Sequence, residues 1–168
     1  EALLGRGYGN HVTHCSCIAP IIRDTGIHLK VNTTVTSRTF CENMESLIQE
    51  LKPDRWKVLQ MLHIQGDNDD AVEDLAITSE QFNYFVENNS QVILENGESP
   101  VFESCNMIEN SYFMITPEGN VKIDKGNVIT KFTLTDVINR GVDMIVDPVK
   151  YQNRGGLYEW NQPLNNSI

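Results

Sequence analysis

Lys30 and Asn32, two residues apart, and Arg55 and Lys57, also two apart, are the side chains whose types and spacing could do chemistry. Strand side chains alternate between faces, so each pair shares a face wherever its segment is extended. In Ile27-His28-Leu29-Lys30-Val31-Asn32, Ile27, Leu29 and Val31 point one way and His28, Lys30 and Asn32 the other. In Arg55–Ile64 the alternation groups Arg55, Lys57, Leu59 and Met61 against Trp56, Val58, Leu62 and Ile64. A cation in an otherwise apolar strand needs a counter-charge or a wet cavity. The chemistry this offers is anion binding, by charge-assisted hydrogen bonds to phosphate or carboxylate. The same three cations also suit solvated strand ends, or pairs with local acids.

The segment between the two strands must position them. Phe40, Met44, Leu47, Ile48 and Leu51 recur at helical spacing, with Thr39 as an N-cap and Lys52-Pro53 as a stop. Strand, helix, strand over this length predicts a right-handed βαβ unit with parallel strands. Ligands of open parallel sheets and of barrels sit at the carboxyl ends of strands. Lys30 and Asn32, late in a strand ending near Asn32, therefore fit a ligand better than Arg55 and Lys57, early in theirs.

Elsewhere, Gly5-Arg6-Gly7-Tyr8-Gly9 reads as a glycine-rich turn that brings Arg6 within reach of a carboxylate or phosphate. A helix is predicted from about Asn10 to Asp24, interrupted or bent near Pro20. His11, His14 and Cys15 have the spacing to share a metal, but no fourth ligand is in sight. Gly66-Asp67-Asn68-Asp69-Asp70 resembles the opening of a calcium loop, yet lacks the sixth-position Gly and the twelfth-position Glu; it reads as a polar loop with helix-capping acids. Thr78–Asn88 reads as a helix with Phe82, Phe85 and Val86 inward, and Gln91–Leu94 as a short strand. Ser111–Thr116 and Val121–Ile123 form a predicted hairpin, followed by a short helix at Thr133–Asn139 and a polar tail.

The chain has 168 residues, 13 basic and 23 acidic side chains and a formal charge of −10. That balance argues against a nucleic-acid or anionic-membrane surface, which needs clustered cations. A small anion is not excluded, because screening over about 8 Å leaves a local cationic pocket intact. There is no apolar run of membrane-spanning length. The four cysteines, Cys15, Cys17, Cys41 and Cys105, lack CxxC pairing, which points to a reducing, cytoplasmic setting. The chain opens without Met in what looks like mid-strand, as expected of a piece of a longer protein.

Gly5-Arg6-Gly7-Tyr8-Gly9, Asn10-His11-Val12, Lys30-Val31-Asn32, Pro53-Asp54-Arg55-Trp56-Lys57, Glu103-Ser104, Ser111-Tyr112 and Arg154-Gly155-Gly156 occur in the order and near-spacing of one family. The chain resembles the viperin-like radical S-adenosylmethionine enzymes over essentially its whole length. The resemblance implies an α/β fold: residues 1–95 the second half of a radical S-adenosylmethionine partial (β/α) barrel, residues 96–168 a hairpin-and-tail extension closing a nucleotide site. It implies an antiviral activity in which a nucleoside triphosphate (CTP, UTP or GTP) becomes its 3′-deoxy-3′,4′-didehydro analogue. Lys30, Arg55, Lys57 and Arg154 match the family's triphosphate cations, Asn32 a neighbouring contact, Tyr112 a ribose-side residue and Arg6 a contact to the S-adenosylmethionine carboxylate. The implied cofactors are S-adenosylmethionine and a 4Fe-4S cluster, and the implied partners are the nucleotide, the missing amino-terminal half of the barrel and an electron donor. A location on the cytosolic face of the endoplasmic reticulum would follow if the whole protein carried an amino-terminal amphipathic helix. The family's C-x3-C-x2-C motif is absent, so the cluster ligands lie outside this chain and the chain alone is expected to be inactive. The rival expectation is a non-catalytic module for protein interaction or nucleotide binding.

Overall fold

The alternation read in the two basic strands holds, but the first strand lies further along the chain than the apolar residues suggest. In the computed structural model, which describes residues 9–63, 68–109, 111–122 and 129–154, β1 is Lys30–Val35 and β2 is Arg55–Gln60. Thr33 and Thr34 extend β1 because β-branched side chains suit a pleated strand as well as apolar ones do. Its start is fixed by Asp54: the Leu29 N–H donates to Asp54 Oδ2 at 2.6 Å, and the Asp54 N–H donates to the Leu29 carbonyl at 2.8 Å. The strands pair in parallel with Lys30 beside Arg55 and Asn32 beside Lys57. Lys30 and Asn32 are thus early in their strand, not late, and the carboxyl-end argument that favoured them over Arg55 and Lys57 fails.

The protein is mixed α/β and divides into two units, residues up to Met61 with Ile77–Phe102, and Leu62–Ala76 with the chain from Glu103. In the first, one face of the sheet packs on helices. Val35, Trp56 and Val58 form a core with Ile48 of α2 (Glu45–Leu51) and with Phe82 and Phe85 of α4 (Ser79–Asn89). The Trp56 indole N–H donates to Thr33 Oγ1 at 3.0 Å, which satisfies its one polar atom inside that core. Val92 and Leu94 join the same core from a loop rather than from the expected strand; apolar character marked their burial, not their backbone. The third strand of the sheet is instead β3 (Val101–Glu103), next to β2.

The helix between β1 and β2 is shorter than its periodicity predicts. Thr39 caps nothing; its hydroxyl accepts the Thr36 N–H at 3.0 Å and closes a turn. The loop ahead of α2 is held instead by Asn89, fully buried at the end of α4. Its Oδ1 accepts the Met44 N–H at 2.7 Å, and its amide donates to the carbonyls of Glu42 at 3.0 Å and Phe85 at 2.9 Å. Asn89→Ala would leave these groups unpaired, so we expect a loss of about 1–3 kcal/mol of stability, read from the urea midpoint. An unchanged midpoint would show that water replaces the amide without cost. Helix α1 (Asn10–Asp24) runs unbroken with Pro20 inside it, and Arg23 near its end donates to the Leu51 carbonyl at the end of α2. Thr78 and Gln81 cap α4 reciprocally, as their spacing allows.

In the second unit, Asp69 and Asp70 open α3 (Asp69–Leu75), in keeping with their reading as acids at a helix start, where the helix dipole favours them; Gly66 and Asp67 lie outside the described residues. After α5 (Cys105–Ile108), β4 (Met114–Ile115) and β5 (Asn120–Lys122) form the expected hairpin, with Gly119 at φ 81° in its turn. An unforeseen strand, β6 (Ile129–Thr133), pairs antiparallel with β5. Thr133 then caps α6 (Leu134–Arg140). Hydrogen bonds from the Thr133 backbone first, then its side chain, hold the Asp136 carboxyl below its ordinary range. Beyond α6 the chain forms α7 (Pro148–Asn153), not expected from the polar tail read there, with Pro148 in its first turn and Asp147 as its cap.

Candidate functional site

Lys30, Asn32, Arg55 and Lys57 lie on the sheet face opposite the Trp56 core. Adjacent strands are about 4.8 Å apart and alternate residues about 6.6 Å. The register therefore gathers the four side chains at the corners of a small rectangle. Along that face β1 and β2 carry Thr34 and Leu59 besides these four. Three positive charges are thus concentrated locally in a chain of charge −10. Lys30 and Asn32 are exposed, Arg55 is half-buried and Lys57 is only 6% exposed. Each cation also interacts within the chain. Ammonium and guanidinium donors in one short patch can hold several oxygens of one polyanion, and partial desolvation strengthens each bond.

The second unit holds a buried group of its own residues. Glu103, fully buried at 0% exposure, accepts the Tyr112 hydroxyl at Oε2, 2.9 Å away, while its Oε1 lies 3.6 Å from Nη1 of Arg154. Arg154, 6% exposed, also donates from Nη2 to the Ser111 carbonyl at 2.9 Å. Its guanidinium carbon lies 4.0 Å from the Tyr112 ring centroid and 4.8 Å from that of Tyr151, in cation–π geometry. Arg154 is therefore not a solvated tail residue, and the Tyr112 hydroxyl is not left at a solvent rim. Glu103 and Ser111 carried no assigned role in the sequence. A lone Glu after Val101-Phe102 looks the same whether it ends a strand in water or under a core, because burial is set by residues far along the chain.

Arg6 and the tail from Gly155 lie outside the described residues. Cys15 Sγ is 3.9 Å from His11 Nε2, but among the described residues no group of three or more His, Cys, Asp or Glu is placed to hold a metal. Burial pushes the Cys105 thiol up, against a smaller opposing effect of its backbone hydrogen bond, which disfavours a thiolate ligand there. With neither the spacing nor the grouping required, this chain's own described residues do not fit an iron–sulfur cluster. No helix among the described residues is long and apolar enough to cross a membrane.

A parallel sheet with helices on one face and a cluster of cations on the other defines a mixed α/β protein whose cations there have the chemistry to hold an anion. Comparison with curated proteins sharpens this: the chain is homologous to the S-adenosylmethionine-dependent nucleotide dehydratases, the group that includes viperin. It is 34% identical to the protein of that name from Lacinutrix mariniflava, over 88% of this chain and 30% of the relative. It is 31% identical to that of a Thermoplasmatales archaeon, over 95% of this chain and 56% of the relative. The RSAD2 dehydratase of Danio rerio is 27% identical over 95% of this chain and 46% of its own length. The chain thus spans about a third to a little over half of the curated relatives it matches. No protein-family model matches it.

Proposed function

We propose that this chain is the carboxyl-terminal part of a viperin-like radical S-adenosylmethionine enzyme, contributing the substrate side of a nucleotide dehydratase. The observation that carries this reading is the in-register pairing of Lys30 with Arg55 and of Asn32 with Lys57 on the face of the sheet opposite the Trp56 core. In this reading Lys30, Arg55 and Lys57 neutralise a triphosphate of about four negative charges, Lys57 being the most desolvated, and Asn32 orients it through its amide. Tyr112, on the ribose side, and Arg154, toward phosphate, enter through the resemblance, as does Arg6 toward the S-adenosylmethionine carboxylate. In this reading the parallel strands belong to a partial barrel, and the residues from 96 onward to a carboxyl-terminal extension. The substrate is CTP, UTP or GTP, and the product its 3′-deoxy-3′,4′-didehydro analogue, made in antiviral defence. Because the cysteines do not fit a cluster, its ligands come from a segment outside this chain, and an electron donor completes the system. The polypeptide works on the cytosolic side of any membrane it touches.

Isothermal titration of CTP, UTP and GTP into the polypeptide that carries this chain tests the reading. At least one should bind stoichiometrically, with affinity falling as salt rises. Heatless titrations for all three would remove the nucleotide from the proposal.

A further inference from the structure

Glu103 is buried, charged by type and bonded to two residues that the nucleotide reading uses, yet nothing in that reading gives it a task. A carboxylate can only accept hydrogen bonds. The Tyr112 phenol donates its single proton to Glu103 Oε2 at 2.9 Å, so toward anything else the phenol oxygen offers lone pairs alone. The ring is fixed from a second side by the Arg154 guanidinium 4.0 Å from its centroid, itself held by the Ser111 carbonyl and by the charge of Glu103. A half-buried tyrosine that would ordinarily turn its hydroxyl to suit either a donor or an acceptor is thereby committed to one role.

We infer that Glu103 is a positioning residue that makes Tyr112 an obligate hydrogen-bond acceptor, and so a selector for ligands presenting a hydroxyl donor at that point. Resting on the nucleotide reading above, this gives the site a preference for a ribose hydroxyl over the hydrogen of a deoxy sugar. Rejection of the deoxy analogue follows because it leaves the phenol lone pairs, desolvated by the bound sugar, without a donor. Arg154 serves the same end from the other side of the ring.

The test compares the affinities of CTP, 2′-deoxy-CTP and 3′-deoxy-CTP for the polypeptide that carries this chain and for its Glu103→Gln and Tyr112→Phe variants, with folding checked by circular dichroism. In the unaltered protein at least one deoxy analogue should bind about tenfold more weakly than CTP. Both variants should bring that ratio to within about twofold, since Phe has no acceptor and Gln can donate to the phenol and release its proton. A role confined to stability would weaken all three nucleotides alike and leave the ratio intact. Ratios unchanged in folded variants overturn the inference, and if Glu103→Gln does not fold, Tyr112→Phe alone decides it. An unaltered protein that binds CTP and its deoxy analogues equally overturns the selector but leaves the nucleotide reading standing. One that binds none of CTP, UTP and GTP overturns both, and where UTP or GTP binds in place of CTP the same comparison is made with that nucleotide and its deoxy analogues.

Discussion

Lys57→Met should weaken CTP binding by about 10–100-fold, the range expected when a partly desolvated charge-assisted hydrogen bond to phosphate is removed. Lys57 is singled out because it is 6% exposed while Lys30 beside Asn32 on the neighbouring strand is open to water. Screening weakens an exposed ammonium more than a buried one, so Lys30→Met should cost less, about threefold to tenfold. Met keeps the aliphatic stem that packs beneath the charge, and the fold should survive. Isothermal titration reads the affinity, and thermal unfolding serves as the control. A variant that binds CTP as tightly as the parent would take the polyphosphate away from this face, whatever the relatives do.

Trp56→Ala should be the most destabilising single change in the first unit, at about 3–5 kcal/mol. Trp56 is fully buried, packs edge-on to Phe102 with ring centroids 6.3 Å apart, and joins Val35, Ile48, Val58, Phe82 and Phe85 in one cluster. Truncation leaves a large cavity and strands the Thr33 hydroxyl that accepts its indole N–H. Urea unfolding measures the loss; a cost below about 1 kcal/mol would mean that the core collapses around the missing ring. Trp56 and Lys57 are adjacent in sequence and point to opposite faces of β2, so the two substitutions separate what holds the sheet from what the sheet presents.

Adjacent-residue logic of that kind was legible without coordinates. Period-two alternation put Trp56 and Val58 on one face of β2 and Lys57 on the other, and helical spacing put Phe82 and Phe85 inward on α4; that the Trp56 face is the core came from the packing. Strand ends were less accessible, because the start of β1 is set by an exchange between Leu29 and Asp54, 25 residues apart. The same holds for the start of α2, where Thr39 looked like a cap until Asn89 took the Met44 N–H from 45 residues away. Val92 and Leu94 show the converse failure: they are buried as their apolarity suggests, yet in a loop, since burial does not dictate backbone conformation.

The sequence by itself determined which residues are cations on a shared strand face, where the helix periods run, and that the chain is kin to the nucleotide dehydratases, because these depend on residue type and local spacing. Only the tertiary structure decided that Lys30 stands beside Arg55 and Asn32 beside Lys57, and that Glu103 lies under Tyr112 and Arg154. Strand register and the burial of a charge are settled by contacts between segments tens of residues apart, and a local pattern carries no record of which partner will close over it.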